Sequence, residues 1–373
     1  MVKLKINNET YEVNDGLTIL DVASSAGINI PTLCHNKDLP HYSSCMVCMV
    51  KNIPTGNFIP SCSALVQDGM DIDCSSEEVI HLRKKAVELL LSEHRAECEA
   101  PCRIVCPAGY NIPFMNRLLA AKDFSGAVSL ATNQIRSAEL WCANCPGYCE
   151  NACRRKKVDF PVSIKNLQIF VSQMIMRGNN IKNSQINSAE EKKVKPEKTP
   201  TGFSSRIGRL DDGELKEWLK ECRNNIIRVR EISDTDSAAC ESESCMHCDC
   251  RAVDNCRLRD VAKELSIKDP VGKLINSPVQ KKINVHTGLI FENAKCIKCG
   301  LCVRLCENLK EEPALCFINR GFISIISEPL TEDFNNILKT KSQEVIDICP
   351  TGALSLEYPP TPHMGSLEPK TWD

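Results

Sequence analysis

Cysteine is the residue type whose number and spacing point most directly to chemistry in this chain. Of its 373 residues, 24 are cysteines, and most fall in C-x2-C or C-x3-C steps. The densest run, SEHRAECEAPCRIVCPAGYNIP, begins at Ser92 and places a histidine and three cysteines within thirteen residues. Closely spaced thiolates suit convergence on one soft metal centre and suit disulfide geometry poorly. We therefore interpret the cysteines chiefly as metal ligands.

Composition excludes several other classes of protein. The 46 basic and 48 acidic residues give a net charge of about -2, so no basic surface for nucleic acid is expected. Apolar runs such as AVELLLS (86–92) are far shorter than the roughly 20 residues of a spanning helix. The N-terminus MVKLKINNETYEV alternates apolar and polar residues, unlike a signal peptide. We expect a cytoplasmic protein without membrane insertion, in which a disulfide scaffold is disfavoured.

The first 75 residues combine short strands, a helix and a cysteine-bearing loop. Strands are predicted at 2–6 and 10–13, and the helical spacing of LTILDVASSAGI ends near Gly27. The spacing C-x10-C-x2-C-x13-C follows. This order resembles the β-grasp [2Fe–2S] domain at the head of the large iron–sulfur subunit of complex I and of [FeFe] hydrogenases. The resemblance implies a [2Fe–2S] cluster, favoured over zinc, held by Cys34, Cys45, Cys48 and Cys62.

After a helix predicted at about 76–92, residues 94–172 have a second set of motifs. CP follows the first cysteine set, CPGYCENAC carries the second, and IKNLQ trails them. These resemble the helical two-cluster domain of the glutamate synthase small subunit, which dihydropyrimidine dehydrogenase and the bifurcating transhydrogenase share. The resemblance implies one [4Fe–4S] cluster on His94, Cys98, Cys102 and Cys153. It implies a second on Cys106, Cys145, Cys149 and Gln168.

Some of these assignments have ordinary alternatives. The spacing between Cys98 and Cys102 differs by one residue from the family pattern, and His94 stands where the family has cysteine. His94 can also be read as a solvated residue at a helix end, and Gln168 as an ordinary polar helix residue. Cys142 matches a family cysteine that is not a ligand.

No flavin or nucleotide site is expected on this chain, although a flavin domain follows the two-cluster domain in those enzymes. No two of the 17 glycines are separated by a single residue, so GxGxxG cannot occur, and a P-loop is also missing. A polar, lysine-rich linker and a short helix at about 211–223 are predicted within 176–230.

A tight cysteine tetrad follows the linker. CMHCDCRAVDNC has the spacing C-x2-C-x-C-x5-C, which suits either a [4Fe–4S] cluster or zinc, and Cys240 is read as a bystander. The segment resembles one found after the flavin domain in fused relatives. Its candidate ligands are Cys245, Cys248, Cys250 and Cys256.

The last cysteine group has the bacterial-ferredoxin pattern. AKCIKCGLCVRLCENL gives C-x2-C-x2-C-x3-C, and EVIDICPTGAL contains another CP. Both resemble the ferredoxin-like module of complex I and hydrogenase subunits. The resemblance implies one [4Fe–4S] cluster with Cys306 left as a free thiol; its ligands are Cys296, Cys299, Cys302 and Cys349. Three further cysteines are predicted to be buried thiols: Cys74, Cys222 and Cys316.

Together these features predict a multidomain α+β protein. Its parts are a β-grasp ferredoxin domain (1–75), a helical two-cluster domain (76–175), the linker (176–230), a cysteine-rich segment (231–275) and a ferredoxin-like domain (280–360). The implied function is a non-catalytic electron-transfer subunit of an electron-bifurcating oxidoreductase or hydrogenase complex. The expected cofactors are one [2Fe–2S] and three or four [4Fe–4S] clusters.

The implied partners are a flavoprotein subunit similar to NADH dehydrogenase and other redox subunits, with ferredoxin as a further candidate. Two alternatives stay open at this point. One is a stand-alone glutamate synthase-like flavin oxidoreductase, against which the missing glycine loop counts. The other is a zinc-binding scaffold protein.

Overall fold

The computed structural model describes residues 1–95, 97–134, 138–179, 211–222, 228–252, 255–267 and 279–357. The chain divides into two compact units. The first takes residues 1–95 and 255–356, and the second takes 97–252. Much of the predicted linker, 180–210 and 223–227, lies outside the described residues.

Residues 1–95 build a five-stranded sheet with two helices. The elements are β1 (Val2–Ile6), β2 (Glu9–Val13), α1 (Ile19–Ser25), β3 (Met49–Asn52), β4 (Phe58–Pro60), β5 (Asp71–Asp73) and α2 (Glu77–Glu93). The strand order is β2-β1-β5-β3-β4, with β1 antiparallel to β2 and parallel to β5. The predicted hairpin and first helix are confirmed. A capping box between Thr18 and Asp21 starts α1, and Gly27 follows its end at φ +73°.

Alternating side chains of this sheet form the core under α1. Leu4 and Ile6 of β1 and Ile72 of β5 are almost completely buried and pack with Ile19 and Leu20. The intervening positions of β1 are exposed lysines, so a one-residue slip of register would bury charge. This core fixes the two ends of the cysteine-bearing loop.

The second unit is helical. Its elements are α3 (Pro101–Ile104), α4 (Ile112–Ala120), α5 (Phe124–Gln134), α6 (Ala138–Ala143), α7 (Tyr148–Asn151), α8 (Ile164–Asn179), α9 (Asp212–Leu219) and α10 (Thr235–Ser242). Side chains of α4 and α8 dominate its core, which includes Ile112, Met115, Leu119, Leu167 and Val171. The predicted helix at 211–223 is shorter in the structure, where it ends at Leu219.

The remainder of the first unit comes from residues 255–356. It contains α11 (Arg257–Glu264), β6 (Lys281–Ile283), β7 (Leu289–Glu292), α12 (Leu301–Leu309), β8 (Cys316–Ile318), β9 (Ile325–Ser327), α13 (Ser342–Ile348) and β10 (Leu354–Leu356). The strands form a three-stranded sheet, β10-β7-β6, and a β8-β9 pair. The chain is thus a mixed α+β protein with small sheets, as the sequence predicts at that level.

Candidate metal centres

The first group of thiols lies in the loop between α1 and β3 and just after β4. All four predicted ligands, Cys34, Cys45, Cys48 and Cys62, are buried. The backbone N–H of Cys45 donates to the Cys34 sulfur at 3.5 Å, and the Ser43 hydroxyl lies 3.5 Å from the Cys62 sulfur. The structure therefore gathers all four thiols of this loop into one buried neighbourhood.

Hydrogen bonding divides these four cysteines into two pairs, and in each pair it lowers the pKa of one thiol (Cys34, Cys62) and raises the pKa of the other (Cys45, Cys48). Donation from Cys45 lowers the pKa of the Cys34 thiol to about 5, with Ser44 assisting. Donation from Cys48 lowers the pKa of the Cys62 thiol to about 7, with Ser43 assisting. Four buried cysteine sulfurs in one loop region are the donor set that a four-cysteine iron–sulfur cluster needs.

The backbone of the cysteine loops is tightly folded. Ser43 and Met46 in the first loop, His247 in the second unit and Lys298 near the C-terminal cysteines all have positive φ, from 45 to 56°. Such angles are uncommon for residues other than glycine. They bend each loop sharply enough to bring neighbouring thiols together.

The C-terminal thiols surround a single cavity. Cys296, Cys299, Cys302 and Cys349 line it, whereas Cys306 does not belong to its described lining and packs in the hydrophobic core behind α12. The backbone N–H of Lys298 lies 3.4 Å from the Cys296 sulfur and donates to it. Four thiols around one cavity, two of them buried and two partly buried, fit a cubane cluster. The ligand set itself stays a prediction.

Gly300 lies between two of these cysteines and has φ +71°. A Cβ there would lie 3.3 Å from the Phe317 ring and 3.6 Å from that of Tyr42. The two rings stack with their centroids 5.8 Å apart. Only glycine meets both the backbone and the packing requirement, so this contact holds the C-terminal cysteine loop against the N-terminal one.

One arginine joins the two cysteine loops of the first unit. Arg304 of α12 is 8% exposed and donates to the carbonyl oxygens of Cys34 at 2.8 Å and Cys299 at 3.4 Å. Its guanidinium also donates to the carbonyl of Pro40 and lies over the Tyr42 ring. Neither composition nor spacing signals this residue, since an arginine in an amphipathic helix is ordinarily a surface residue.

In the second unit a further group of cysteines collects beside α8. Cys142 lies 2.7 Å from Gln168 and donates its S–H to the side-chain oxygen. Burial raises the pKa of the Cys142 thiol to about 11, and nearby Cys106 and Cys145 add to the shift. Burial also raises the pKa of the Cys149 thiol, and the charge of Cys106 adds to that increase. The structure thus brings the predicted ligands Cys106, Cys145, Cys149 and Gln168 together, with Cys142 among them.

A cavity in the second unit is lined by cysteines that the sequence assigns to two different sites. Its lining includes Cys102 and Cys153 from the helical domain and Cys245 and Cys248 from the cysteine-rich segment. Burial, followed by the charges of Cys153, Cys245 and Cys248, raises the pKa of the Cys102 thiol. Burial likewise raises the pKa of Cys245 to about 12. The spacing along the chain gave no indication of this grouping.

The remaining predicted ligands are not among the described lining residues of these two cavities. His94 caps α2 in the first unit, where complete burial, followed by the charge of Lys295, lowers its pKa to about 4. It is therefore not the solvated helix-end residue of the alternative reading. Cys98 accepts a hydrogen bond at its carbonyl from the N–H of Cys250 at 2.9 Å. Cys256 lies in the first unit, with its thiol donating to the Pro350 carbonyl at 3.9 Å.

Within the described residues, no three His, Cys, Asp or Glu side chains are arranged to hold a single metal ion. Two of the thiol groups described above instead line cavities, an arrangement that suits a multi-iron group. In the same part of the chain, no helix has both the length and the apolar character to cross a membrane.

Three protein-family models match the chain. Residues 1–77 match a 2Fe-2S iron-sulfur cluster binding domain, and residues 77–180 match dihydropyrimidine dehydrogenase domain II with a 4Fe-4S cluster. Residues 289–355 match the ferredoxin-like domain of NADH-quinone oxidoreductase subunit 3. The chain therefore carries both [2Fe–2S] and [4Fe–4S] domains, and the resemblances stated for its first, second and last cysteine groups are confirmed.

Individual relatives are redox-complex subunits. The NAD-reducing hydrogenase HoxS subunit gamma of Cupriavidus necator is 27% identical over 165 residues, 42% of this chain and 69% of that one. The NADPH-Fe(3+) oxidoreductase subunit alpha of Geobacter sulfurreducens is 36% identical over 131 residues, 34% of this chain but 15% of its own length. A chain of a crystallised NAD+-reducing [NiFe]-hydrogenase in the H2-reduced state aligns over 95% of this chain and 87% of that one, at 16% identity and a TM-score of 0.47. The chain is a multi-cluster iron–sulfur protein similar to subunits of NAD(P)-linked hydrogenases and oxidoreductases.

Proposed function

We propose that this chain is the electron-transfer subunit of a cytoplasmic, multi-subunit NAD(P)H- or ferredoxin-linked oxidoreductase, or of a hydrogenase complex of that kind. Iron–sulfur clusters bound in its cysteine loops would supply one-electron transfer, and flavin and nicotinamide chemistry would take place on partner subunits. Electron bifurcation by the assembled complex is part of this proposal. Its support is the set of matched iron–sulfur domains together with the similarity of the chain to subunits of a hydrogenase and of an NADPH-linked oxidoreductase.

The observation that carries the proposal is the shared arginine of the first unit. An electron carrier needs its centres close together and held at fixed positions. Arg304 donates to the carbonyl of a cysteine in each of two candidate cluster loops, Cys34 and Cys299. The stacked Tyr42 and Phe317 rings add a second contact between the same loops. Two centres held in this way are suited to exchanging electrons within one compact unit.

We assign cluster ligands in the first unit as the cysteine spacing predicts. The [2Fe–2S] cluster takes Cys34, Cys45, Cys48 and Cys62. A [4Fe–4S] cluster takes Cys296, Cys299, Cys302 and Cys349, and leaves Cys306 as a thiol. In the second unit another [4Fe–4S] cluster takes Cys106, Cys145, Cys149 and Gln168.

The protein groups around these sites bury the clusters and set their potentials. Burial in low dielectric disfavours added negative charge, whereas hydrogen bonds and nearby cations favour it, so the balance sets the potential of each site. In the first unit the cations are Arg304 and Arg257, and the charges of Cys34 and Cys45 act on the latter. The chain's own residues therefore tune potentials and exclude water without taking part in bond chemistry.

The domain plan follows the same assignment. We propose a β-grasp ferredoxin domain over 1–75, a helical two-cluster domain over 76–175, a linker over 176–230, a cysteine-rich segment over 231–275 and a ferredoxin-like domain over 280–360. The implied partners are a flavoprotein similar to the NADH-dehydrogenase subunit, other redox subunits and a soluble ferredoxin.

A reduction experiment tests this function directly. The full chain, reconstituted anaerobically with iron and sulfide, is mixed with NADH, with and without the NADH-dehydrogenase-type flavoprotein subunit from the same source. The visible absorption of the chain should bleach only when the flavoprotein is present. Bleaching by NADH alone would mean that this chain itself binds flavin or nicotinamide. No bleaching with the flavoprotein, although dithionite bleaches the chain, would contradict the assigned partner.

A further inference from the structure

The cavity beside α3 in the second unit has a lining that no single sequence motif explains. Its four cysteines come from three separate segments. Cys102 lies in α3, Cys153 lies two residues after the end of α7, and Cys245 and Cys248 belong to the loop after α10. The three matched family models cover 1–180 and 289–355, so the last two cysteines lie outside all of them.

We propose that Cys102, Cys153, Cys245 and Cys248 together hold one [4Fe–4S] cluster. The cysteine-rich segment then completes a site begun in the helical domain instead of forming a metal site of its own. The choice of an iron–sulfur cluster rests on the proposed function. The new content is the set of four ligands and the contribution of two of them by the cysteine-rich segment.

A buried amide at the cavity has the properties of a cluster hydrogen-bond donor. Asn116 of α4 lines the cavity and is 1% exposed, and within the described residues neither its side-chain nitrogen nor its oxygen has a hydrogen-bond partner. Although it makes no hydrogen bond of good geometry, this amide acts on the Cys245 thiol, so it lies beside one of the proposed ligand sulfurs. The sulfur atoms of a bound cluster would accept from its NH2 group.

The charge of the lining also suits such a cluster. Four thiolates around an iron–sulfur core carry net negative charge, which a buried site must offset. Arg154 and Arg155 both line the cavity. Arg154 is also paired with Glu97 at 3.3 Å, and Arg155 with Asp159 at 2.8 Å, and these pairs hold the guanidinium groups in place.

The loop that brings the second pair of cysteines is held firmly from both sides. Asp249 directly follows Cys248 and forms a buried, two-fold hydrogen-bonded pair with Arg117 of α4, at 2.8 and 2.5 Å. Arg251 pairs with Glu221 on the other side. Bidentate arginine–carboxylate pairs fix orientation as well as position, so the loop can present Cys245 to the cavity in a defined direction.

The fold of this loop does not bring together all four cysteines that the spacing groups into one site, namely Cys245, Cys248, Cys250 and Cys256. The described lining of the cavity includes neither Cys250 nor Cys256. The Cys250 N–H points at the Cys98 carbonyl, and Cys256 lies in the first unit. Spacing groups four cysteines along the chain, but folding pairs only the first two with Cys102 and Cys153.

Iron loss in double variants distinguishes these two ligand sets. Full-length Cys102→Ala, Cys245→Ala and the double variant are reconstituted anaerobically, and iron per chain is measured, with the [2Fe–2S] electron paramagnetic resonance signal as a check on folding. If the two cysteines share a cluster, each single variant loses about four irons and the double variant loses the same four. If they belong to separate clusters, the double variant loses about eight, which would overturn the inference.

Cys256→Ala is the matched control, because spacing assigns it to the same site as Cys245. It should keep all of its iron, and a loss of about four would contradict the shared cluster. If Cys245→Ala fails to fold, Cys248→Ala takes its place in the same comparison with Cys102→Ala. Failure of the proposed function has a different signature: the unaltered chain would then bind no iron–sulfur cluster at all.

Discussion

Arg304 donates a hydrogen bond to the carbonyl oxygen of Cys34 at 2.8 Å, although the two residues belong to domains at opposite ends of the chain. The same NH2 group lies 3.4 Å from the carbonyl of Cys299. A buried cation therefore stands between two thiol groups, each of which we assign to a cluster. Its charge acts on both, and its hydrogen bonds fix the spacing between them.

Replacing Arg304 should change redox potentials without removing iron. Arg304→Gln keeps a hydrogen-bond donor and removes the positive charge that favours the reduced, more negative clusters. We expect the midpoint potentials of the [2Fe–2S] cluster and the C-terminal [4Fe–4S] cluster to fall by about 60 mV, roughly a tenfold change in a one-electron equilibrium. Redox titration followed by electron paramagnetic resonance measures both values.

Arg320→Gln is the control for Arg304, since Arg320 is an exposed arginine of the same unit. It should leave both potentials unchanged. Equal shifts in the two variants would mean that overall charge, and not the shared contact, is responsible.

Cys349 and Cys306 should differ sharply in iron binding. Cys349 lines the C-terminal cavity with three other thiols, whereas Cys306 packs in the core behind it. Cys349→Ala should lose about four irons, and Cys306→Ala should lose none. Iron analysis of the two variants is the measurement, and the reverse pattern would show that the C-x2-C-x2-C-x3-C run closes its cluster locally.

Gln168 should be required for the second cluster of the helical unit, and its neighbour Cys142 should not. The two side chains lie 2.7 Å apart, so both are within reach of the same centre. We expect Cys142→Ala to keep its iron and Gln168→Ala to lose about four. Gln168→Cys should restore the iron at a lower potential, because a thiolate adds negative charge. Iron loss in Cys142→Ala would instead identify Cys142 as the ligand.

Asp249 should contribute strongly to the stability of the second unit. Both side chains of the Arg117–Asp249 pair are about 95% buried or more, so Asp249→Asn leaves a buried, uncompensated guanidinium. We expect a loss of about 3–5 kcal/mol in the free energy of unfolding by urea, together with loss of iron from the Cys245 site. Asp236→Asn breaks the exposed Lys122–Asp236 pair and should have no measurable effect. Similar losses in both variants would contradict this role for the buried pair.

Local features of the chain could be predicted well from the sequence. The β1–β2 hairpin, α1 and α2 follow from short-range periodicity and caps, which neighbouring residues determine. The presence of iron–sulfur domains follows from C-x2-C spacing, because thiolates so close in sequence must also be close in space. The contact of Cys142 with Gln168, in contrast, depends on tertiary packing, because α6 must lie against α8 for the two side chains to meet.

Groupings that depend on tertiary packing could not be predicted in this way. Cys245 and Cys248 face Cys102 and Cys153 only because the Arg117–Asp249 pair and the packing of α10 on α4 place the loop there. The cysteine spacing within either segment does not predict that these four thiols line one cavity. Arg304 is similar: its role depends on the N-terminal loop meeting α12, and its own sequence context is that of any amphipathic helix.

The most direct test of the central claim is an anaerobic redox titration of the reconstituted full-length chain, with iron and sulfide analysis and electron paramagnetic resonance at each potential. The account predicts about 14 or more irons per chain and reversible signals from one [2Fe–2S] and at least three [4Fe–4S] clusters. Fewer than about 8 irons, or no reversible signal from a second type of cluster, would contradict a multi-cluster electron carrier.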